Sequence, residues 1–273
     1  MSKEKDAAKS TREKAAEARA AQQAAEKRRE RTVRIVGAIG VVVVVILIIG
    51  LAIVVPRMND KGGGDATALP SPDPAVALPT GVYRADGPVP YGVPVGSGTD
   101  AAPLLAIWED FQCPSCGALE KLNGTGIQKL ANDGTVRLVW RPTAFLDSKL
   151  GNQSSVDAIS AWGCAIDQGQ AEAYHNTLYA NQPTQEGEGW TQDQLLGFGE
   201  QSGITGSGLD TFKKCVTDRT YVGWAVNSTK VFYDDGVQGT PSGSLNGQPI
   251  DAKTMADQTA LEKAVADAAA AKQ

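Results

Sequence analysis

The chain has 273 residues, enough for one or two domains, and its formal charge of −5 hides an asymmetry. Residues 1–34 hold 11 Lys/Arg against 6 Asp/Glu, leaving 15 against 25 for the remainder. A basic start and an acidic body divided by an apolar run indicate membrane topology and exclude nucleic-acid binding as the main role.

In chain order, residues 1–34 read as a basic cytoplasmic tail, solvated and partly helical. It lacks an apolar stripe but alternates Glu and Lys near four-residue spacing. Lys27, Arg28, Arg29, Arg31 and Arg34 crowd its end, where anionic membrane lipid is the expected contact. Residues 35–55 are 21 residues without a charge. As a helix they span about 31 Å, one bilayer core. The run is longer than a cleaved signal peptide's apolar region and exits through Val54, Val55, Pro56 and Arg57. It is read as an uncleaved signal-anchor. The cation excess before it puts the N-terminus in the cytoplasm and the rest outside a single-pass cell membrane.

Residues 56–99 form a Pro/Gly-rich linker holding 8 of the 14 prolines. Tyr83, Val89, Tyr91, Val93 and Val95 in its second half suit an edge strand or a lid. From residue 100 to 273 the texture is globular. Leu104–Trp108 reads as a buried strand, Cys113–Leu130 as a helix weakened by Gly124 and Gly126, and 136–141 as a strand stopped by Pro142. Five helices follow within about 154–235: 154–168, 171–180, 191–202, 209–217 and 221–234. Asn246-Gly247 predicts a hairpin between strands at 242–246 and 248–250, and 255–272 a final helix. The order is β-α-β, a helical block, then β-β-α, an α/β class.

The chemistry-bearing feature is Cys113-Pro114-Ser115-Cys116 at a strand-to-helix junction. A cysteine at a helix start gains thiolate character from unsatisfied N–H groups and the dipole. Pro114 fits the first turn, and Cys116 lies one turn on, placed to bridge back. Zinc needs four ligands, and besides these two cysteines the chain has one histidine, His175, and two distant cysteines. No metal and no cofactor is expected. A purely structural bridge across so short a ring adds little. Cys164 and Cys215, on two predicted helices, read as a structural disulfide. The alternative is a second redox relay, with Lys213 and Lys214 the only nearby cations. His175 reads as a helix-packing residue. Glu109 and Asp110 read as solvated loop acids, with tuning of the thiols as the alternative. Thr240-Pro241 taken alone is an ordinary trans turn.

Four segments carry a resemblance: Trp108–Cys116; Cys164–Gly169 running into Tyr174–Leu178; Gly239-Thr240-Pro241; and Leu245-Asn246-Gly247. Together, over about residues 100–270, they resemble the DsbA-like family of bacterial thiol–disulfide oxidoreductases, in its membrane-anchored form. The resemblance implies a thioredoxin fold with an inserted helical domain, an exposed attacking Cys113, a resolving Cys116, the Pro114-Ser115 dipeptide between them, and a cis Thr240-Pro241 that contacts substrate. It implies oxidation of cysteine pairs in exported proteins of the bacterial cell envelope, and a membrane partner, vitamin K epoxide reductase-like or DsbB-like, that reoxidises the enzyme. Many thioredoxin-fold relatives carry a buried acid six residues before the first cysteine. That position is Ile107 here, so no proton relay through that group is implied. A reductase or isomerase on the same fold and a non-catalytic binding module are the alternatives. Cys113→Ser separates the last, since it spares a pure binding role.

Overall fold

The computed structural model describes residues 69–271. The tail and the expected membrane span at 35–55 lie outside them. Among the described residues, no helix is long and apolar enough to cross a membrane.

A five-stranded sheet organises the described residues, in the order β1-β3-β2-β4-β5. Its strands are β1 (Val93–Val95), β2 (Leu104–Glu109), β3 (Arg137–Pro142), β4 (Ser242–Leu245) and β5 (Gln248–Ile250). Only β2 and β3 run parallel, joined through α1 (Pro114–Leu119), a π-helical turn (Glu120–Gly124) and α2 (Thr125–Asn132). After β3 come α3 (Phe145–Leu150), α4 (Ser154–Asp167), α5 (Ala171–Ala180), α6 (Gln192–Gln201), α7 (Gly206–Thr217) and α8 (Val222–Asp234). The chain then returns to the sheet and ends in α9 (Ala252–Ala256) and α10 (Gln258–Ala270).

The expected linker is packed well before residue 99. Val82, Val89, Tyr91 and Val93 are buried, and β1 pairs antiparallel with β3 as an edge strand. An edge tolerates Pro94, which has no N–H to give. The compact unit accordingly takes in the described residues from 69 onward.

The helix expected over Cys113–Leu130 runs without interruption from Pro114 to Asn132, with the π turn as a bulge inside it. A Cβ at Gly124 would lie 2.2 Å from Glu120 Oε2, so glycine there leaves room for the Glu120 carboxyl to fold inward. The final helix is divided, because Asp257 leaves the helical region and caps α10 by accepting from Ala260 N–H.

Ser242-Gly243-Ser244 has poor strand propensity, yet β4 pairs with β2 along its length, Trp108 facing Ser242 and Leu105 facing Leu245. Packing decides this. A Cβ at Gly243 would lie 2.4 Å from Met255 Sδ, so the small residue lets α9 seat on the sheet. The hairpin turn has Asn246 and Gly247 both at positive φ, as a type I′ turn requires. Asn246 also extends the ladder, its side-chain oxygen accepting from Leu104 N–H at 2.9 Å.

The main core joins both layers through fully buried Trp140, Trp162, Trp224 and Tyr174. Cys164 and Cys215 form a disulfide between α4 and α7. The bridge closes a separation of 51 residues. In the loop-entropy account that is worth about 4 kcal/mol. Replacing both with Ala is expected to lower Tm by roughly 8–16 °C in calorimetry while leaving exchange at Cys113 intact. Loss of exchange with an unchanged Tm would instead mark the bridge as a redox relay.

Candidate active site

Strand β2 ends at Glu109, and the chain turns through Asp110–Cys113 into α1. Cys113 is the N-cap of α1 in extended conformation, with Pro114 in the first turn and no side-chain cap. The helix-start N–H groups are thereby left for the cysteine sulfur. Two carboxylates fasten this turn. Asp110 accepts from Gln112 N–H at 2.9 Å, Leu146 N–H at 3.0 Å and Ser155 Oγ–H at 2.5 Å. Asp147 accepts from Ser155 N–H, Val156 N–H and Gln112 Nε2. From the other side, Gln182 Nε2 donates to the carbonyls of Phe111 and Cys113 at 2.7 and 3.0 Å. Neither Gln182 nor Asp147 stands out in the sequence, because the turn each one holds lies 35 residues or more away.

Cys113 and Cys116 are both free thiols. Cys113 keeps 6 % of its surface and Cys116 none. The expected ranking of the two holds, but the attacking cysteine is less exposed than the resemblance implies. As a thiol, Cys113 donates to the Thr240 carbonyl at 3.3 Å. The Thr240–Pro241 bond is cis. The predicted loop element 127 residues away is therefore brought against the cysteine. The Cys113 pKa is drawn down to about 6, chiefly by the hydrogen bond from Cys116, with help from the Thr240 hydroxyl and the backbone N–H groups of Ser115 and Cys116. Burial pushes Cys116 well above the ordinary thiol range, and the shared hydrogen bond and the Glu109 charge add to it. Alkylation of the reduced protein should therefore follow one thiol, half-maximal near pH 6, with Cys116 unlabelled through pH 9. A single midpoint near 9 would remove the activated thiolate.

Glu109 and Asp110 are not solvated loop acids. They are 5 % and 0 % exposed, because the register of β2 and the turn that follows direct both under α1. Burial raises Asp110 to about 7. Glu109 faces His175, with Oε2 2.9 Å from Nε2. His175 is a packing residue as expected, stacked on Trp140 at 3.9 Å between centroids, but it also partners this acid. Glu120 completes the cluster from the π turn. Burial raises both glutamates to about 8 and lowers His175. Both shifts favour a neutral Glu109–His175 hydrogen bond over an ion pair. A buried acid does underlie the thiols, four residues before Cys113 rather than six, and once ionised, above about pH 8, its charge opposes the ionisation of both sulfurs.

Beside Pro241, a cavity of about 660 Å³ runs along Trp108, Arg141, Gln238, Ser242 and Ser244. Arg141 lies 3.8 Å over the Trp108 ring and pairs with Asp235 at 2.7 Å, forming one wall. A second cavity of about 700 Å³ lies between α1 and α5, lined by Pro114, Gly117, Glu120, Asn176, Tyr179 and Gln182.

A β2–α–β3 unit with two thiols at the start of its helix, facing a cis X–Pro bond, defines the class. The thioredoxin family profile matches residues 92–265, and the chain belongs to that family. Among solved structures it is similar to MdbA, a thiol-disulfide oxidoreductase from Actinomyces oris, at 22 % identity and TM-score 0.56 over 72 % of this chain and 99 % of that one. Oxidised BdbD from Bacillus subtilis gives 20 % identity and 0.56, over 72 % and 99 %. Oxidised DsbA from Mycobacterium tuberculosis gives 23 % and 0.53, over 67 % and 100 %. No curated protein sequence matches the chain.

Proposed function

We propose that this protein is an extracytoplasmic thiol–disulfide oxidoreductase that oxidises cysteine pairs in exported proteins. The observation that carries the reading is the division between the two thiols, one drawn down to about 6 and its neighbour pushed up. With Cys113–Cys116 closed, a substrate thiolate attacks Cys113 Sγ and the bond to Cys116 breaks. Cys116 leaves with the electron pair and, fully buried, takes a proton. A second substrate thiolate then attacks the substrate sulfur of the mixed disulfide. Cys113 leaves as a stabilised thiolate. The substrate loses two electrons and the enzyme gains two.

Direction follows from which enzyme form the site stabilises. At pH 7 a thiol near 6 is mostly ionised. Relative to a thiol at 9 this favours the reduced form about tenfold, at most about 1.4 kcal/mol or 30 mV for two electrons. Solvent at the edge of Cys113 screens part of it. The contribution is modest but its sign favours giving up the disulfide. Thr240 and Pro241, with the cavity beside them, are the substrate-strand contact in this reading, and Pro114-Ser115 sets the spacing of the thiols.

The resulting dithiol needs reoxidation. A quinone-linked membrane partner, vitamin K epoxide reductase-like or DsbB-like, fits an enzyme held at a membrane by residues 35–55 with its N-terminus cytoplasmic. The charge asymmetry and the uncharged run support that anchor. The similarity to MdbA, a thiol-disulfide oxidoreductase, supports the chemistry. The test is oxidative refolding of a reduced exported protein. The oxidised enzyme is expected to transfer one disulfide per molecule without added oxidant, and Cys113→Ser none. Transfer by Cys113→Ser at the wild-type rate would refute the assignment.

A further inference from the structure

We propose that Glu109, Glu120 and His175 form a binding site for a divalent transition-metal ion beneath the thiol pair. The inference goes beyond the exchange reading and stands independently of it.

One ligand atom from each residue lies within 4.8 Å of the other two. The second oxygen of Glu109, Oε1, is fully buried, as is Glu120 Oε1, and no group outside the cluster pairs with either. The two carboxyls hydrogen-bond one another, so a single proton stands where a cation would. Among the described residues, the only ion-pair partner of Glu109 is His175, and Glu120 has none. With their protons displaced, two carboxylates and a neutral imidazole carry two negative charges, which one divalent cation cancels. The imidazole selects among cations. Calcium and magnesium take six or more oxygens, whereas zinc and its neighbours accept nitrogen and carboxylate at low coordination number. Tetrahedral zinc ligands stand roughly 3.4 Å apart, so the widest pair here closes by about 1.4 Å.

The surroundings resemble those of a ligating histidine. The Trp140 ring stacks on the imidazole, and His175 Nδ1 lies 3.5 Å from Asn176 Oδ1, an acceptor that turns the Nε2 lone pair toward Glu109. The cavity between α1 and α5 reaches Glu120 and gives an ion a way in.

The test uses the full chain with both disulfides closed, so that none of its four cysteines is a thiol. Zn²⁺ is titrated against a chromophoric chelator. One equivalent is expected to bind the wild type, and Glu109→Gln and Glu120→Gln each to weaken it tenfold or more. Zn²⁺ should raise the Tm of the wild type and leave that of the double variant unmoved. If a variant fails to fold, the Co²⁺ spectrum of the wild type decides: nitrogen and oxygen ligation without a thiolate band is expected. No binding at one equivalent would mean that the cluster holds protons only. Equal binding by wild type and double variant would place the ion elsewhere. Either result overturns the proposal.

Discussion

Cys116→Ala is expected to turn the protein into a trap. Oxidised substrate should accumulate on Cys113 as a mixed disulfide stable to gel electrophoresis without reductant, while net exchange falls to the uncatalysed background. The reason lies in the division of labour. Cys113 is the sulfur with any surface and the one drawn down to about 6, so it attacks and is attacked. Cys116 is fully buried and held as a thiol, so it acts only on a sulfur already bonded to Cys113. Run in reverse, from an oxidised substrate, the reaction keeps the attack by Cys113 and loses the step in which Cys116 displaces the substrate. Cys113→Ala should form no adduct, because Cys116 is unreachable. The check is adduct mass with a reporter peptide disulfide. Adducts on Cys113→Ala, or none on Cys116→Ala, would reverse the assignment of the two sulfurs.

Glu109→Gln is expected to stabilise the fold in alkaline solution, against the usual result of altering a buried residue. Glu109 rises from an ordinary 4.5 to about 8 because burial disfavours its anion. The folded state therefore keeps a proton that the unfolded chain releases. Its favourable contribution is complete below about pH 4.5 and is lost as pH rises through about 8. Glutamine keeps the shape and cannot ionise. Wild type and variant should be of similar stability near pH 4.5. Above pH 8 the variant should be ahead by roughly 2–4 kcal/mol in urea unfolding, coupling to Glu120 making the figure approximate. The opposite order above pH 8 would show that Glu109 and His175 are a charged pair holding the fold.

The part of this site that is local in sequence was legible. Cys113, Pro114 and Cys116 sit where a strand gives way to a helix. The helices at 154–167 and 171–180 fall within a residue of expectation, because their apolar spacing is long and regular. Asn246-Gly247 announced its own turn. What sits beneath the thiols was not legible. Two consecutive acids before a turn look like loop residues, and only the path of β2 shows them to be buried. Their partners are set by tertiary packing, His175 standing 66 residues from Glu109 and Ser155 standing 45 from Asp110. The relevance of Glu120 needed the π turn, and Gly124 read as a weakness when it is the space that admits the carboxyl. The edge strand at Val93 was visible as a possibility in a proline-rich stretch, but its place in the core depends on β3, more than 40 residues on.

The central claim is that this dithiol gives its disulfide away. The reduction potential of Cys113–Cys116, measured against glutathione with Cys164–Cys215 left closed, tests it most directly. The reference points are about −120 mV for DsbA and about −270 mV for thioredoxin. A value nearer the first is expected, and it means a reduced form stabilised enough to drive oxidation of client thiols. A value near −270 mV would contradict the account and leave a reductase that must be fed electrons.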